Sequence, residues 1–204
     1  MLRGFAVTWL GGALLVASLA GCASRALVPD WPVQSLPDGW EARRAALQGW
    51  DHFELEGRVS VTSLEEGLVA GWVWRQRAAR TQVDLQGPAG LGARRWQFET
   101  AEDGSLNGGA LADRRAWEET LGVPLPITSI RYWLLGVPHP ARPAEEQLLA
   151  GESRLAALVQ DGWEVRFLDY ARVGAAGVTL PSRLELTREA SRVRLVVRVW
   201  RGTR

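Results

Sequence analysis

The sequence contains no lysine, one cysteine and two histidines in 204 residues. A lone cysteine, Cys22, excludes an internal disulfide framework and leaves no thiolate metal cluster to build. His52 and His139 have no partner at metal-ligand spacing. His52 falls on the polar side at the start of a strand pattern and His139 sits between Pro138 and Pro140, so both read as surface residues. No metal and no cofactor is expected. There is no Gly-x-Ser-x-Gly elbow or other nucleophile motif. The adjacent pairs Glu118-Glu119 and Glu145-Glu146 cannot share a helix face and read as solvated surface. These absences argue against an enzyme. An excess of one charge is also lacking: 24 basic residues, all arginine, face 23 acidic ones. The all-arginine set is a compositional bias more than a chemical one. Without residues 1–21, which hold Arg3 as their only charge, the basic count falls to 23 and the balance is zero. Neutrality gives no electrostatic case for nucleic acid. Tyr and Phe are scarce, at two and four, but Trp is abundant at eleven. Large rings with little polar burden suit a roomy apolar interior and an ordinary core equally.

The N-terminus carries the sharpest motif. Arg3 supplies a short positive segment, and Phe5 to Ala20 an apolar run shorter than the ~20 residues of a spanning helix. Leu19-Ala20-Gly21-Cys22 closes it and resembles a bacterial lipobox. That resemblance implies a lipoprotein signal peptide over residues 1–21, cleavage before Cys22, and acylation of Cys22 on its thiol and new amine. The alternative is an anchor helix or ordinary signal peptide with a chance cysteine. In such lipoproteins an Asp after the cysteine favours the inner membrane. Ala23 and Ser24 stand here, which implies the outer membrane. More than one acyl chain is needed for a stable anchor, and a bacterial lipoprotein meets that condition.

The remaining chain of about 183 residues has a single-domain length. Residues 22–37, with three prolines and little pattern, read as a lipidated tether, and 38–204 as the domain. Asp38 is a candidate N-cap for a helix to about Gln48. From residue 51 the period is two. Phe53, Leu55, Val59 and Val61 form one inward row, and Gly57 marks a bend or bulge within it. Further rows are Leu68, Ala70, Trp72 and Trp74, then Thr81, Val83 and Leu85, then Trp96 and Phe98. Ala112 to Leu121 and Ile127 to Leu135 read as helices, stopped by Gly122 and Gly136. Strands return with Leu155–Val159. They continue with Trp163, Val165 and Phe167, then Leu184 and Leu186, then Val193, Leu195, Val197 and Val199. The pattern predicts a mainly β (α+β) fold: a curled antiparallel open barrel capped by a few short helices. A cavity and a filled core under that cap remain equally open from sequence.

The loop Gly87-Pro88-Ala89-Gly90-Leu91-Gly92 leads into a strand pattern, not a helix, so it is no phosphate loop. It reads either as a plain turn with Leu91 folded inward or as an uncharged tip that touches a membrane.

Several segments together resemble the LolB family of outer-membrane lipoprotein receptors. They are the lipobox, Trp50 with Phe53 and Gly57-Arg58-Val59, Trp74-Arg75-Gln76, and the Gly87-Pro88 loop. The most specific is Leu125-Pro126 followed by Ile130-Arg131-Tyr132-Trp133-Leu134-Leu135-Gly136-Val137-Pro138. Gly162-Trp163-Glu164-Val165 to Tyr170, Leu180-Pro181-Ser182-Arg183-Leu184-Glu185-Leu186, and Val193 to Trp200 complete it. The resemblance implies an apolar cavity and a monomer on the periplasmic face of the outer membrane in a Gram-negative bacterium. It implies acceptance of acylated lipoproteins from the periplasmic carrier LolA and their insertion into outer-membrane lipid. On that footing the cavity candidates are Trp72, Trp74, Trp96, Phe98, Trp133, Leu134, Val165 and Phe167. The membrane-contact candidates are Pro88, Ala89 and Leu91. In the family a bulky apolar residue, usually Leu, follows the loop proline, and here that residue is Ala89. The competing class is a structural or assembly lipoprotein that binds a protein partner through a filled-core β domain.

Overall fold

Alternation of apolar and polar residues becomes nine antiparallel strands in a computed structural model that describes residues 38–63, 67–87, 92–101, 105–107, 110–174 and 177–202. Cys22, the tether, Pro88, Ala89 and Leu91 lie outside these residues. The strands are β1 His52–Thr62, β2 Gly67–Arg77, β3 Arg80–Gln86, β4 Arg94–Glu99, β5 Glu145–Leu148, β6 Leu155–Gln160, β7 Trp163–Val173, β8 Val178–Arg188 and β9 Ser191–Gly202. The helices are α1 Trp40–Gln48, α2 Ala110–Leu121 and α3 Ile127–Leu135.

The sheet runs β4-β3-β2-β1-β9-β8-β7-β6-β5. It consists of two meanders joined at the centre by the first and last strands. β4 and β5 form its two edges and do not pair, so the barrel stays open. The chain from β4 to β5 carries α2 and α3. α2 packs on β4, and α3 packs on β8 and α1. The fold is therefore an open, curled antiparallel barrel capped by short helices.

Tight turns set the register. Asp161 and Gly162, at φ 54° and 75°, form the two-residue turn between Gln160 and its partner Trp163. An Asp-Gly pair with both φ positive is the primed turn that matches strand twist. α3 ends at Gly136, at φ 79°. The Gly136 N–H reaches the Trp133 carbonyl and the Val137 N–H reaches that of Tyr132, a Schellman closure. A Cβ on Gly136 would lie 3.0 Å from Pro181 Cγ, so this turn also brings α3 against β8.

The bulge expected at Gly57 is present: Glu56 pairs with Val199 and Gly57 with Val197, leaving Arg198 extra on β9. Gly57 is required there, since a Cβ would fall 1.9 Å from the Val196 carbonyl oxygen. The extra residue reverses the faces of β9. Val193, Leu195 and Val197 point inward, but Val199 is 38% exposed and Trp200, opposite Leu55, turns in against Phe53. This corrects the simple alternation that placed Val199 inside.

Other departures have local causes. Gly39, not Asp38, occupies the N-cap of α1, at φ 89° and with no side-chain cap. α2 begins at Ala110. Glu145-Glu146 opens strand β5: Glu145 is exposed, as expected, but the Glu146 carboxylate is half-buried and accepts from Trp40 Nε1 (2.7 Å) and Arg44 (2.9 Å). His139, expected on the surface, is buried.

Candidate functional site

Register places the inward side chains of β1 to β4 in transverse rows across the concave face. One row runs Trp200, Leu55, Trp74, Val83, Trp96 over five neighbouring strands. On one side lies Gly57, Trp72, Leu85 and Arg94. On the other lies Phe53, Gln76, Thr81 and Phe98, whose two polar members satisfy each other at 2.7 Å. α2 lays Trp117 over the β4 end, edge-on to Trp96 at 5.4 Å and to Phe98 at 6.3 Å. Trp72 and Trp74 meet edge-to-face at 6.1 Å. Such tilted pairs are preferred over flat stacks.

The second half of the sheet supplies Val165 and Phe167 from β7, and α3 inserts Trp133 and Leu134 above it. All eight sequence candidates are buried, at 5% exposure or less, and belong to one continuous apolar core. Trp117, Trp163 and Trp200 belong with them or pack against them. Trp117 lacked a sequence signal because one ring on a short amphipathic helix does not reveal what it covers. Trp200 was hidden by the bulge.

The polar content of this interior is unequal. Trp133 Nε1 donates to Gln160 Oε1 at 2.9 Å. The indole N–H groups of Trp72, Trp74, Trp117, Trp163 and Trp200 are buried without a protein acceptor. Each unmet buried donor costs ~1–3 kcal/mol. Aromatic faces nearby are weak acceptors at best.

Gln160, inward at the end of β6, was not singled out from the sequence. Its Oε1 also accepts the His139 N–H (2.9 Å), and its Nε2 donates to the carbonyls of His139 (3.2 Å) and Arg142 (3.1 Å). The neighbouring Asp161 takes Ser129 Oγ and Arg142 (2.9 Å). The β6–β7 hairpin thus holds α3 and the loop behind it. The signal available was a glutamine just before an Asp-Gly turn.

His139 Nδ1 accepts the Ala141 N–H at 3.2 Å, and its ring packs edge-on to Tyr132 at 4.8 Å. Burial lowers its pKa, Arg142 and Arg131 lower it further, and Asp161 opposes them. The unfolded chain therefore binds this proton more readily than the folded one. Stability is full above the ordinary value of 6.5 and falls as pH drops through it, until the folded site protonates. The expected result is a lower urea midpoint at about pH 5.5 than at about pH 7.5, with a smaller drop in His139→Gln. Equal drops in both proteins would exclude His139 as the cause.

Two of the surface openings touch the candidate residues. A pocket of about 260 Å³ lies at the Phe98 end, bounded by Thr81, Ile127, Arg131, Tyr132 and His139. A groove of about 560 Å³ is lined mostly by outward residues, among them Glu56, Gly71, Val73, Asp84, Arg95 and Val199. Trp72 reaches its edge. Asp84 there takes Arg75 and Arg95, each at 2.5 Å. Partial burial raises its pKa, but the two arginine hydrogen bonds outweigh that and hold the carboxyl below its usual range. Charged side chains thus stand along this outer groove, whereas the concave face is apolar. Among the described residues no cluster of His, Cys, Asp and Glu could hold a metal, and no helix is long and apolar enough to cross a membrane.

The family model "Outer membrane lipoprotein LolB" matches residues 51–200, which covers every strand and helix except α1 and the last two residues of β9. The chain belongs to the LolB family. An outer-membrane lipoprotein LolB of Pseudomonas putida KT2440 is 33% identical over 193 residues, covering 91% of this chain and 92% of that protein. Those of Pseudomonas fluorescens Pf0-1 and Pseudomonas syringae pv. syringae B728a are 32% and 30% identical, each over 91% of this chain and 91% and 92% of their own. Family membership makes this chain an outer-membrane lipoprotein involved in lipoprotein localisation. A solved structure of a DUF1329 family protein from Desulfovibrio piger overlaps 83% of this chain and 94% of its own at a TM-score of 0.41 and 8% identity, too loosely to support an argument.

Proposed function

We propose that this protein is the membrane-anchored acceptor of acylated lipoproteins, taking them from the periplasmic carrier LolA and releasing them into the outer membrane. The supporting observation is a concave, tryptophan-lined sheet face under helices, within the span that matches the LolB family. Burying a methylene is worth ~0.8 kcal/mol, so a chain of ~15 methylenes is worth ~12 kcal/mol and cannot cross water bare. The acceptor must hide the chains yet hold them less tightly than a bilayer does. Direction then follows from affinity differences, without a nucleotide or a covalent step.

The eight cavity candidates are closed from solvent in this state. Acceptance therefore requires the helical cap to separate from the sheet. α2 touches β4 and is held there by few polar links, chiefly Asp113 to the Gln97 N–H at 3.1 Å and Arg94 to Thr120 at 3.4 Å. α3 is pinned more firmly through Gln160 and Asp161, so α2 is the part that opens. In this reading Cys22 carries the lipid, residues 22–37 tether the domain, and the protein acts as a monomer on the periplasmic face.

The loop with Pro88, Ala89 and Leu91 is the release tip, with Leu91 in the role that Ala89 is too small to fill. Leu91→Glu is expected to leave acceptance intact and slow deposition into liposomes several-fold. Normal deposition by both Leu91→Glu and Ala89→Glu would remove the tip from the mechanism.

The filled interior favours one competing reading, a structural lipoprotein whose core never opens. The two differ in native ligand binding. Protein stripped of bound lipid should bind an apolar fluorescent probe stoichiometrically and lose it to an acylated peptide but not to its unacylated form. Absence of probe binding by native protein would favour the closed-core reading.

A further inference from the structure

The interior carries more hydrogen-bond donors than it can use. Five indole N–H groups, of Trp72, Trp74, Trp117, Trp163 and Trp200, are buried on or beside the concave face and find no acceptor in the protein. Polar groups in that core with a choice of partner are already committed: Trp133 with Gln160, and Thr81 with Gln76. Native interiors tolerate few such orphans. Phenylalanine is the smaller aromatic without a donor, and the chain has eleven Trp against four Phe. Position adds to the case. Trp74 and Trp200 share one transverse row with Leu55 between them. Trp72 lies in the next row, with its Nε1 over Gly57, 2.9 Å from where a Cβ would stand. The absent side chain makes room there for the close approach of the Val196 backbone, whose carbonyl oxygen lies 1.9 Å from that same point, yet the Trp72 N–H makes no hydrogen bond.

A set of orphaned donors is the complement of a ligand with acceptors and no donors. Alkyl chains offer neither. The carbonyl oxygens of fatty-acyl esters offer acceptors only. We infer that the indole N–H groups of Trp72 and Trp74 hydrogen-bond the ester carbonyls of the bound diacylglyceryl group, so the cavity recognises acyl esters and not merely hydrocarbon. This rests on the acyl-acceptor reading above and adds a chemical selectivity to it.

The test uses Cys22→Ser protein, which bears no lipid of its own, and two competitors for a bound apolar probe. One is a diester diacylglycerol, the other its diether analogue with equal chains and no carbonyl. The diester is expected to bind about tenfold more tightly, equivalent to about 1.4 kcal/mol. Its ester carbonyl infrared band should shift to lower frequency on binding. Trp72→Phe and Trp74→Phe should each reduce the ratio of diester to diether affinity, and with it the shift. Trp96→Phe, which removes a ring not among the orphaned donors, should do neither. Equal binding of diester and diether by the parent protein, with an unshifted band, overturns the inference and leaves the acceptor reading intact. Displacement by neither lipid overturns both. The parent comparison needs no tryptophan variant, so a variant that fails to fold does not shield the inference.

Discussion

Gln160→Leu is expected to lower stability by ~4 kcal/mol. The side chain is 2% exposed and all of its hydrogen-bonding capacity toward α3 and the following loop is used. Leucine matches its size but strands the Trp133 N–H and the His139 N–H in a dry interior and takes a donor from the Arg142 carbonyl, while the His139 carbonyl keeps the Arg142 N–H at 3.3 Å. An unmet donor or acceptor costs more than a made bond contributes, which is why the loss exceeds a simple count of bonds. At ~2–4 °C per kcal/mol for a domain of this size, the melting temperature should fall by roughly 8–16 °C. Adding Trp133→Phe should recover part of the loss, because one stranded donor is then gone. A drop below ~1 kcal/mol, or a double variant that is simply additive, would mean that α3 is held by apolar packing instead.

Cys22→Ser should have the largest effect on location and little on binding. Each acyl chain contributes ~12 kcal/mol of membrane affinity at ~0.8 kcal/mol per methylene, so removing all of them should shift essentially the whole population from membrane to soluble fraction. If, as proposed, the domain beyond the tether receives the cargo, the variant should still take up acylated lipoprotein. Deposition should slow, because the anchor raises the local concentration of the receptor at its target membrane. A soluble variant that folds but accepts nothing would show that the anchor takes part in acceptance itself.

Much of this architecture was legible because a sheet with one wet face writes its pattern in period two. Trp72 and Trp74, Trp96 and Phe98, and Val165 and Phe167 were placed inward by alternation alone, and helix α3 was bounded correctly by its spacing and by Gly136. What was not legible depends on distant partners. Val199 turns outward and Trp200 inward because Arg198 is one residue too many against β1, far away in the chain. β5 has only four residues and a Glu-Glu-Gln-Leu sequence. It gains definition from pairing with β6 and from α1, through Trp40 and Arg44 on Glu146. His139 is flanked by prolines, which usually mark a surface turn, but Gln160 and Tyr132 enclose it. The orphaned indoles could not be foreseen either, since sequence gives the number of tryptophans but not the number of acceptors near them.

The central claim is that this domain accepts acyl chains from a carrier. The most direct measurement mixes LolA loaded with a labelled lipoprotein with the Cys22→Ser protein and follows the label by size-exclusion chromatography or cross-linking. The account predicts that label moves to this protein without nucleotide, and that a lipoprotein lacking its acyl chains does not move. Retention of all label on the carrier, with both proteins folded, would contradict it.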